Sequence, residues 1–323
     1  MRNHRHKTRH ETVNVQGLDI FYRHAGDPDM PAILLLHGYP TSSYMYRNLI
    51  EPLAETAYVV APDLPGFGYS SAPSADAYDY TFENIADTID AFLAALNLQR
   101  FFLFIHDFGT PVGYHLATRR PDRIRGLIVQ NGNAHDEGLG PGWDAPKAFF
   151  ADPTEENRAK LPDWMNFETT RYQYIGEQPE RLMRLYPPEG WQLDWERLSR
   201  PGTIDIQFKI FSDYGSHIAR FPAIRAYHRE HQPPCLLLWG RHDPFFDINE
   251  IMAYNRMLDA LEIHVFESGH QLLETHHREC AALVSRFMLD VDAGRAQIPP
   301  SDVIASMTVA GISVFLDWPT CRS

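Results

Sequence analysis

The sequence predicts an α/β protein, a mostly parallel sheet covered by helices and interrupted by a helical insertion. Three observations lead there. Short apolar or β-branched runs alternate with amphipathic stretches up to about residue 131. From Asn131 to Arg229 the chain is rich in Gly, Pro, Trp and Tyr, with helical patches and few strand signals. The alternation then resumes from Cys235 to Leu289.

Thr12–Val15 and Ile20–His24 read as a starting antiparallel pair turning at Gly17. Ala32–Leu36 is a buried strand, and Ser42–Leu53 after it is helical. Tyr58–Ala61 is the next strand, stopped by Pro62. Phe82–Leu96 carries Ile85, Ile89, Phe92, Leu93 and Leu96 at helical spacing. Phe101–Ile105 is an apolar strand followed at once by a helix over Thr110–Arg119, and Ile124–Val129 repeats the strand pattern. After the insertion, Cys235–Trp239 and Glu262–Phe266 read as strands, with helices over Ile248–Leu258 and Gln271–Leu289. The expected layout is a core over 1–131 and 230–290, a helical cap over 132–229, and a loosely attached tail over 291–323.

Composition narrows the function. Formal net charge is −13, from 29 basic and 42 acidic residues, which argues against a nucleic-acid partner. It favours a small neutral or apolar organic substrate. Three cysteines do not make a disulfide framework; Cys235 and Cys280 read as small buried hydrophobes, and a cytoplasmic setting fits. Met1–His10 is basic but lacks the apolar stretch of a signal peptide. Val303–Leu316 is too short and too broken for a membrane span. His4, His6 and His10 offer no fixed metal geometry, and no cofactor is expected. Monomer and homodimer are equally compatible with the sequence.

Four segments at predicted strand ends carry chemistry-bearing residues. In Ile105-His106-Asp107-Phe108-Gly109 a strand ends and a helix begins within a few residues. Such an elbow lifts its central side chain above the sheet, and the helix N-terminus favours an anion there. The central residue is Asp, which can attack an electrophilic carbon to give an ester; equally, Asp107 could simply cap the helix. His37-Gly38-Tyr39-Pro40 follows a strand directly and could aim the Tyr39 N–H, with that of Phe108, at a developing oxyanion. Asp243 and His270 close two further strands, at the sheet edge where open α/β sheets gather their sites. Asp107, Asp243 and His270 stand in the order nucleophile, acid, histidine. His37 and His106 flank the site and are expected to order it and to border the substrate.

These residues also carry a resemblance. The chain resembles the α/β-hydrolase superfamily, in the branch shared by epoxide hydrolases and haloalkane dehalogenases, over roughly residues 12–290. His37-Gly38-Tyr39-Pro40 resembles its HGxP oxyanion loop, Asp63 to Ser70 its DxxGxGxS segment, and His106 to Gly109 its nucleophile turn. The resemblance implies an α/β-hydrolase fold: an eight-stranded, mostly parallel sheet, helices on both faces, and an inserted α-helical cap. It implies Asp107 as nucleophile, His270 as water-activating base and Asp243 as its orienting carboxylate. The strand ending at Val129 leads into Gln130 and Asn131 rather than a carboxylate, which leaves Asp243 as the charge partner.

The leaving group is the open point. Haloalkane dehalogenases typically place Trp after the nucleophile; here Phe108 stands there, without a donor, and Tyr39 replaces their Asn. Pro40–Tyr44 and Arg47-Asn48 nevertheless resemble dehalogenases. Fluoroacetate dehalogenases usually carry Arg after the nucleophile, which this chain lacks. Epoxide hydrolases use cap tyrosines as proton donors. Tyr214, 29 residues before Asp243, matches one such position, and Tyr172-Gln173-Tyr174 resembles the stretch holding the other; simple packing within a cap would use the same residues. The expectation is therefore an epoxide-opening hydrolase, with dehalogenation, or a non-catalytic ligand-binding protein of the same fold, as alternatives. A serine esterase is ruled out because no Ser stands at the elbow.

Overall fold

A computed structural model describes residues 6–295, 304–309 and 312–317; His4 lies outside them. Eight strands follow the expected order: β1 (Arg9–Val15), β2 (Leu18–Ala25), β3 (Ala32–Leu36), β4 (Tyr58–Pro62), β5 (Phe101–His106), β6 (Ile124–Gln130), β7 (Cys235–Gly240) and β8 (Leu261–Phe266). The segment expected to be a loose tail instead supplies two more, β9 (Ile304–Val309) and β10 (Ile312–Asp317). The sheet order is β1-β2-β4-β3-β5-β6-β7-β8-β9-β10. β1 and β2 pair antiparallel, as do β2 with β4 and β9 with β10, while the seven strands from β4 through β3, β5, β6, β7 and β8 to β9 run parallel to one another.

The central strands β3, β5 and β7 are buried at every position because both sheet faces are covered. On β3, Leu34 and Leu36 join Leu103 and Ile105 of β5 in one core cluster. Ile33 and Leu35 join Phe102 and Phe104 in the other, beneath the helix Leu273–Asp292. Burying each such side chain contributes about 1.5–3 kcal/mol.

Ser42–Leu53, expected as one helix, is two short pieces: a 3-10 turn over Ser43–Tyr46, capped by Ser42, and a single helical turn over Ile50–Leu53. Its departure from regular helix follows from the buckle beside it. The buried Asp63 carboxylate accepts from the Ser43 and Tyr69 N–H groups, both at 2.8 Å, and the Ser70 hydroxyl donates to the Asp63 carbonyl at 2.6 Å. The Asp63-to-Ser70 motif thereby ties the loop after β3 to the loop after β4.

Between β6 and β7 the chain is helical, from Asp144–Ala151 through Phe167–Ile175 and Thr203–Ser212 to Phe221–His231. The first three of these helices send Pro146, Gln173 and Phe211 toward the loop after β5, whereas Phe221–His231 packs against the helix Gly109–Arg119. Among the described residues no helix is long and apolar enough to cross a membrane.

Candidate active site

The elbow after β5 sets the site. Asp107 adopts φ +47°, a left-handed conformation that Asp tolerates better than most side chains. The Asp107 N–H donates to the Asn131 carbonyl at 3.2 Å, which ties the elbow to the end of β6. The helix Gly109–Arg119 follows directly, and a Cβ at Gly109 would sit 2.3 Å from the Leu36 carbonyl oxygen, so only Gly lets this helix start against β3.

Asp107 is buried, and its carboxylate does not cap that helix. Its Oδ1 accepts from the N–H groups of Tyr39 and Phe108, each at 2.6 Å. Gly38 makes this possible, since a Cβ there would overlap the Asp107 carboxylate at 2.3 Å. With Oδ1 doubly held, Oδ2 is the free oxygen, and it lies 4.0 Å from His270 Nε2. That separation exceeds a direct hydrogen bond and leaves the imidazole within reach of one bridging water.

His270 Nδ1 is hydrogen-bonded to Asp243 Oδ2 at 2.8 Å. A carboxylate only accepts, so the proton sits on Nδ1 and Nε2 presents its lone pair. Asp243 Oδ1 is fixed in turn by the N–H groups of Phe245 and Phe246 at 2.7 and 3.2 Å. The imidazole stacks on Phe246 at 5.5 Å and meets the edge of Phe245 at 5.4 Å. Asp107, His270 and Asp243 are thus brought together at one place.

Burial raises the Asp107 carboxyl to about 6, against the charge of His270 and the two N–H bonds that hold it down. Burial disfavours the His270 cation, but the charge and hydrogen bond of Asp243, and the charge of Asp107, more than offset it and raise the imidazole above its ordinary value.

A cavity of about 150 Å³ opens above Asp107. An apolar protein cavity of that size holds a molecule such as benzene. Tyr39, Phe108 and Phe245 wall it from the core, and Trp143, Trp164 and Phe211 from the helical insertion. Among the described residues no Arg or Lys lines it. Among the described residues no group of three or more His, Cys, Asp or Glu side chains could hold a metal.

The other expected site residues are placed differently. Tyr174 is buried and its hydroxyl donates to Asp194 at 2.5 Å, away from the cavity. Tyr172 is 39 % exposed and donates to Glu177 at 2.9 Å. Tyr214 is fully buried one layer behind the wall, its ring against Trp143 at 4.7 Å and Phe108 at 6.0 Å, and its occluded hydroxyl lies beside Asn133. None of the three lines the cavity. Neither do the histidines expected to border the substrate. His37 accepts from the Leu64 N–H at 2.9 Å through Nε2 and bonds the Gly38 carbonyl at 3.1 Å through Nδ1, so it props the oxyanion loop from below. Burial depresses it to about 4, which keeps it neutral in that role. His106 bonds the Gln130 carbonyl at 3.0 Å and packs against His270, the ring centroids 4.5 Å apart and the planes tilted by 40°. Both histidines are fully buried against their neighbours and have no surface left for a ligand.

Three contributors escaped the sequence reading. Asn131 pairs with both backbone groups of Gly240, at 2.9 and 3.2 Å, joining the end of β6 to the loop that carries Asp243. The Tyr186 hydroxyl bonds Ser268 at 2.7 Å and accepts from the Gly269 N–H at 3.1 Å, tying the insertion to the His270 loop. Gln173 lines the cavity. Asn131 alone left a trace, as the unexpected amide where a carboxylate would be looked for.

Comparison with known proteins agrees with this architecture. Residues 31–277 match the family described as alpha/beta hydrolase fold. An uncharacterized hydrolase of Saccharomyces cerevisiae, YNR064C, is 37% identical over 274 residues, covering 83% of this chain and 93% of that one. A Bradyrhizobium diazoefficiens haloalkane dehalogenase is 41% identical over 113 residues, 35% of this chain and 36% of that one. The crystal structure of the haloalkane dehalogenase DbeA from Bradyrhizobium elkani superposes with a TM-score of 0.69 at 24% identity, covering 89% of this chain and 100% of that one. The chain therefore belongs to the α/β-hydrolase family, with haloalkane dehalogenases among its relatives.

Proposed function

We propose that the protein hydrolyses a small, neutral, largely apolar substrate in two steps, through an ester of Asp107. The observation that carries this reading is the division of labour on one carboxylate: Oδ1 held by two N–H groups, Oδ2 free and facing His270 Nε2. In the first step Oδ2 attacks a saturated carbon in line and the leaving group departs with the bonding electrons. The ester carbonyl is then Oδ1, already seated between the Tyr39 and Phe108 N–H groups. In the second step a water gives a proton to His270 and attacks the ester carbon, and the oxyanion develops where those two donors wait. Alkylation removes the Asp107 charge that raises His270, so the imidazole becomes easier to keep neutral when a base is needed. The helices over 132–229 act as a cap that keeps bulk water out.

For the leaving group, halide is the better-supported reading. Epoxide opening was expected on the strength of cap tyrosines, and Tyr172 and Tyr174 turn their hydroxyls to other partners. Tyr39 lines the cavity, but its hydroxyl donates to the Trp164 carbonyl at 3.3 Å. A halide needs N–H donors and no proton. The local similarity to a haloalkane dehalogenase supports the same choice. Epoxide opening is the second reading, favoured by Tyr214, which packs directly behind Phe108 and would reach the cavity after a modest cap shift.

The test is the His270→Gln variant mixed with 1-chlorobutane, 1-iodobutane and 1,2-epoxybutane, followed by intact mass. A stable adduct of one alkyl group per chain is expected with the halides. An adduct with the epoxide alone would reverse the order of the two readings, and no adduct with any of them would remove the Asp107 mechanism.

A further inference from the structure

Gln173 combines three properties that no other cavity residue shares. It sits on the helix Phe167–Ile175, so it reaches the cavity from the insertion while Asp107 reaches it from the sheet. It is only 7 % exposed. Its side-chain amide has no hydrogen-bond partner among the described residues, yet its nitrogen and oxygen are not among the occluded, unpartnered atoms. What remains open to that amide is the cavity itself. A buried amide left without a partner costs about 1–3 kcal/mol, so a fold keeps one where a ligand completes it. Trp143, by contrast, is committed: its Nε1–H donates to the Phe245 carbonyl at 2.7 Å.

We propose that the Gln173 side-chain amide is the hydrogen-bond donor to the leaving group of the first step. This rests on the Asp107 reading and adds the group that receives the departing charge. The Asp107 Oδ2–carbon bond forms as the carbon–halogen bond breaks, and the halide leaves with the electron pair. Gln173 donates an N–H to it throughout and transfers no proton. In the second step water supplies the oxygen that Asp107 retains; one of its protons ends on the departing alcohol and the other passes through His270 to solvent. The overall balance is alkyl halide plus water to alcohol, halide and a proton. An amide donor also discriminates. Chloride is a stronger hydrogen-bond acceptor and a poorer leaving group than iodide, so chlorides should depend on Gln173 more than iodides do.

The experiment measures the rate of alkyl-adduct formation on Asp107 in the His270→Gln background, with Gln173 intact or replaced by Met or Asn. Gln173→Met keeps the volume and removes the donor, while Gln173→Asn keeps a donor on a shorter stem. Circular dichroism and a melting curve establish that each variant is folded. The expected result is a loss on the order of a hundredfold with 1-chlorobutane for Gln173→Met. The loss should be clearly smaller with 1-iodobutane, and Gln173→Asn should recover part of the rate. Equal losses for chloride and iodide would mean a packing effect and would overturn the proposal, as would unchanged rates in a folded Gln173→Met. Absence of an adduct with Gln173 intact would overturn the Asp107 reading and this proposal together.

Discussion

Asp107 is held in a state that costs the fold stability. Its carboxyl is raised from 3.8 to about 6, chiefly by burial, so the folded protein binds its proton more tightly than the unfolded chain does. The sign follows directly. Stability associated with this group is fully present below pH 3.8 and is lost as pH rises through about 6. Asp107→Asn keeps an oxygen for the Tyr39 and Phe108 N–H groups but carries no charge. At about pH 7.5 it should be more stable than the parent by about 1–3 kcal/mol, and the gain should vanish near pH 4. Melting curves at the two pH values check this; an equal difference at both would mean the charge is not the cause. The same titration should give activity an acid limb near pH 6, because only the carboxylate attacks.

At the scale of elements, the site depends on how strand ends are joined. Asn131 accepts from the Asp107 N–H through its carbonyl and grips Gly240 through its side chain, so one residue registers the Asp107 elbow against the loop that carries Asp243. Asn131→Ala removes the side-chain partner of the buried Gly240 N–H and leaves the Gly240 carbonyl with only the Asp243 N–H, at 3.3 Å. It should cost about 2 kcal/mol of stability and lower kcat more than it raises KM. Denaturant unfolding and steady-state kinetics would show it, and a change confined to KM would argue against a positioning role. This scale also shows what sequence could reveal. Strands such as Ala32–Leu36 were legible because a run buried on both faces has a period-free apolar signature, and Asp107, Asp243 and His270 because each sits just past such a run. The helical segment 132–229 was not legible in that way. Tyr174 and Tyr214 matched useful positions, but whether a hydroxyl faces a cavity or Asp194 depends on helix rotation that no local pattern encodes. Gln173 had no signal of its own between two tyrosines, and His37 and His106 look identical in sequence whether they prop a loop or touch a ligand. The strand Ile304–Val309 was missed because its parallel partner, β8, lies about forty residues upstream, and Ile312–Asp317 pairs with Ile304–Val309.

For the whole molecule, charge and cavity act in the same direction. The chain carries −13 overall, the cavity contains the Asp107 carboxylate, and among the described residues no cation lines it. A carboxylate-bearing substrate would meet like charge without compensation, at a cost of several kcal/mol. Neutral 1-chlorobutane should therefore exceed chloroacetate in kcat/KM by about a hundredfold or more. Comparable values for the two would require a cation that this cavity does not present.

The central claim is that Asp107 forms a covalent ester, and a single turnover in heavy-oxygen water tests it most directly. With enzyme in excess over substrate, the first product should carry ordinary oxygen taken from Asp107 Oδ2, and the heavy isotope should appear in the peptide containing Asp107. Heavy oxygen in the first-turnover product, with that peptide unlabelled, would mean that water attacks the substrate directly and that no such ester forms.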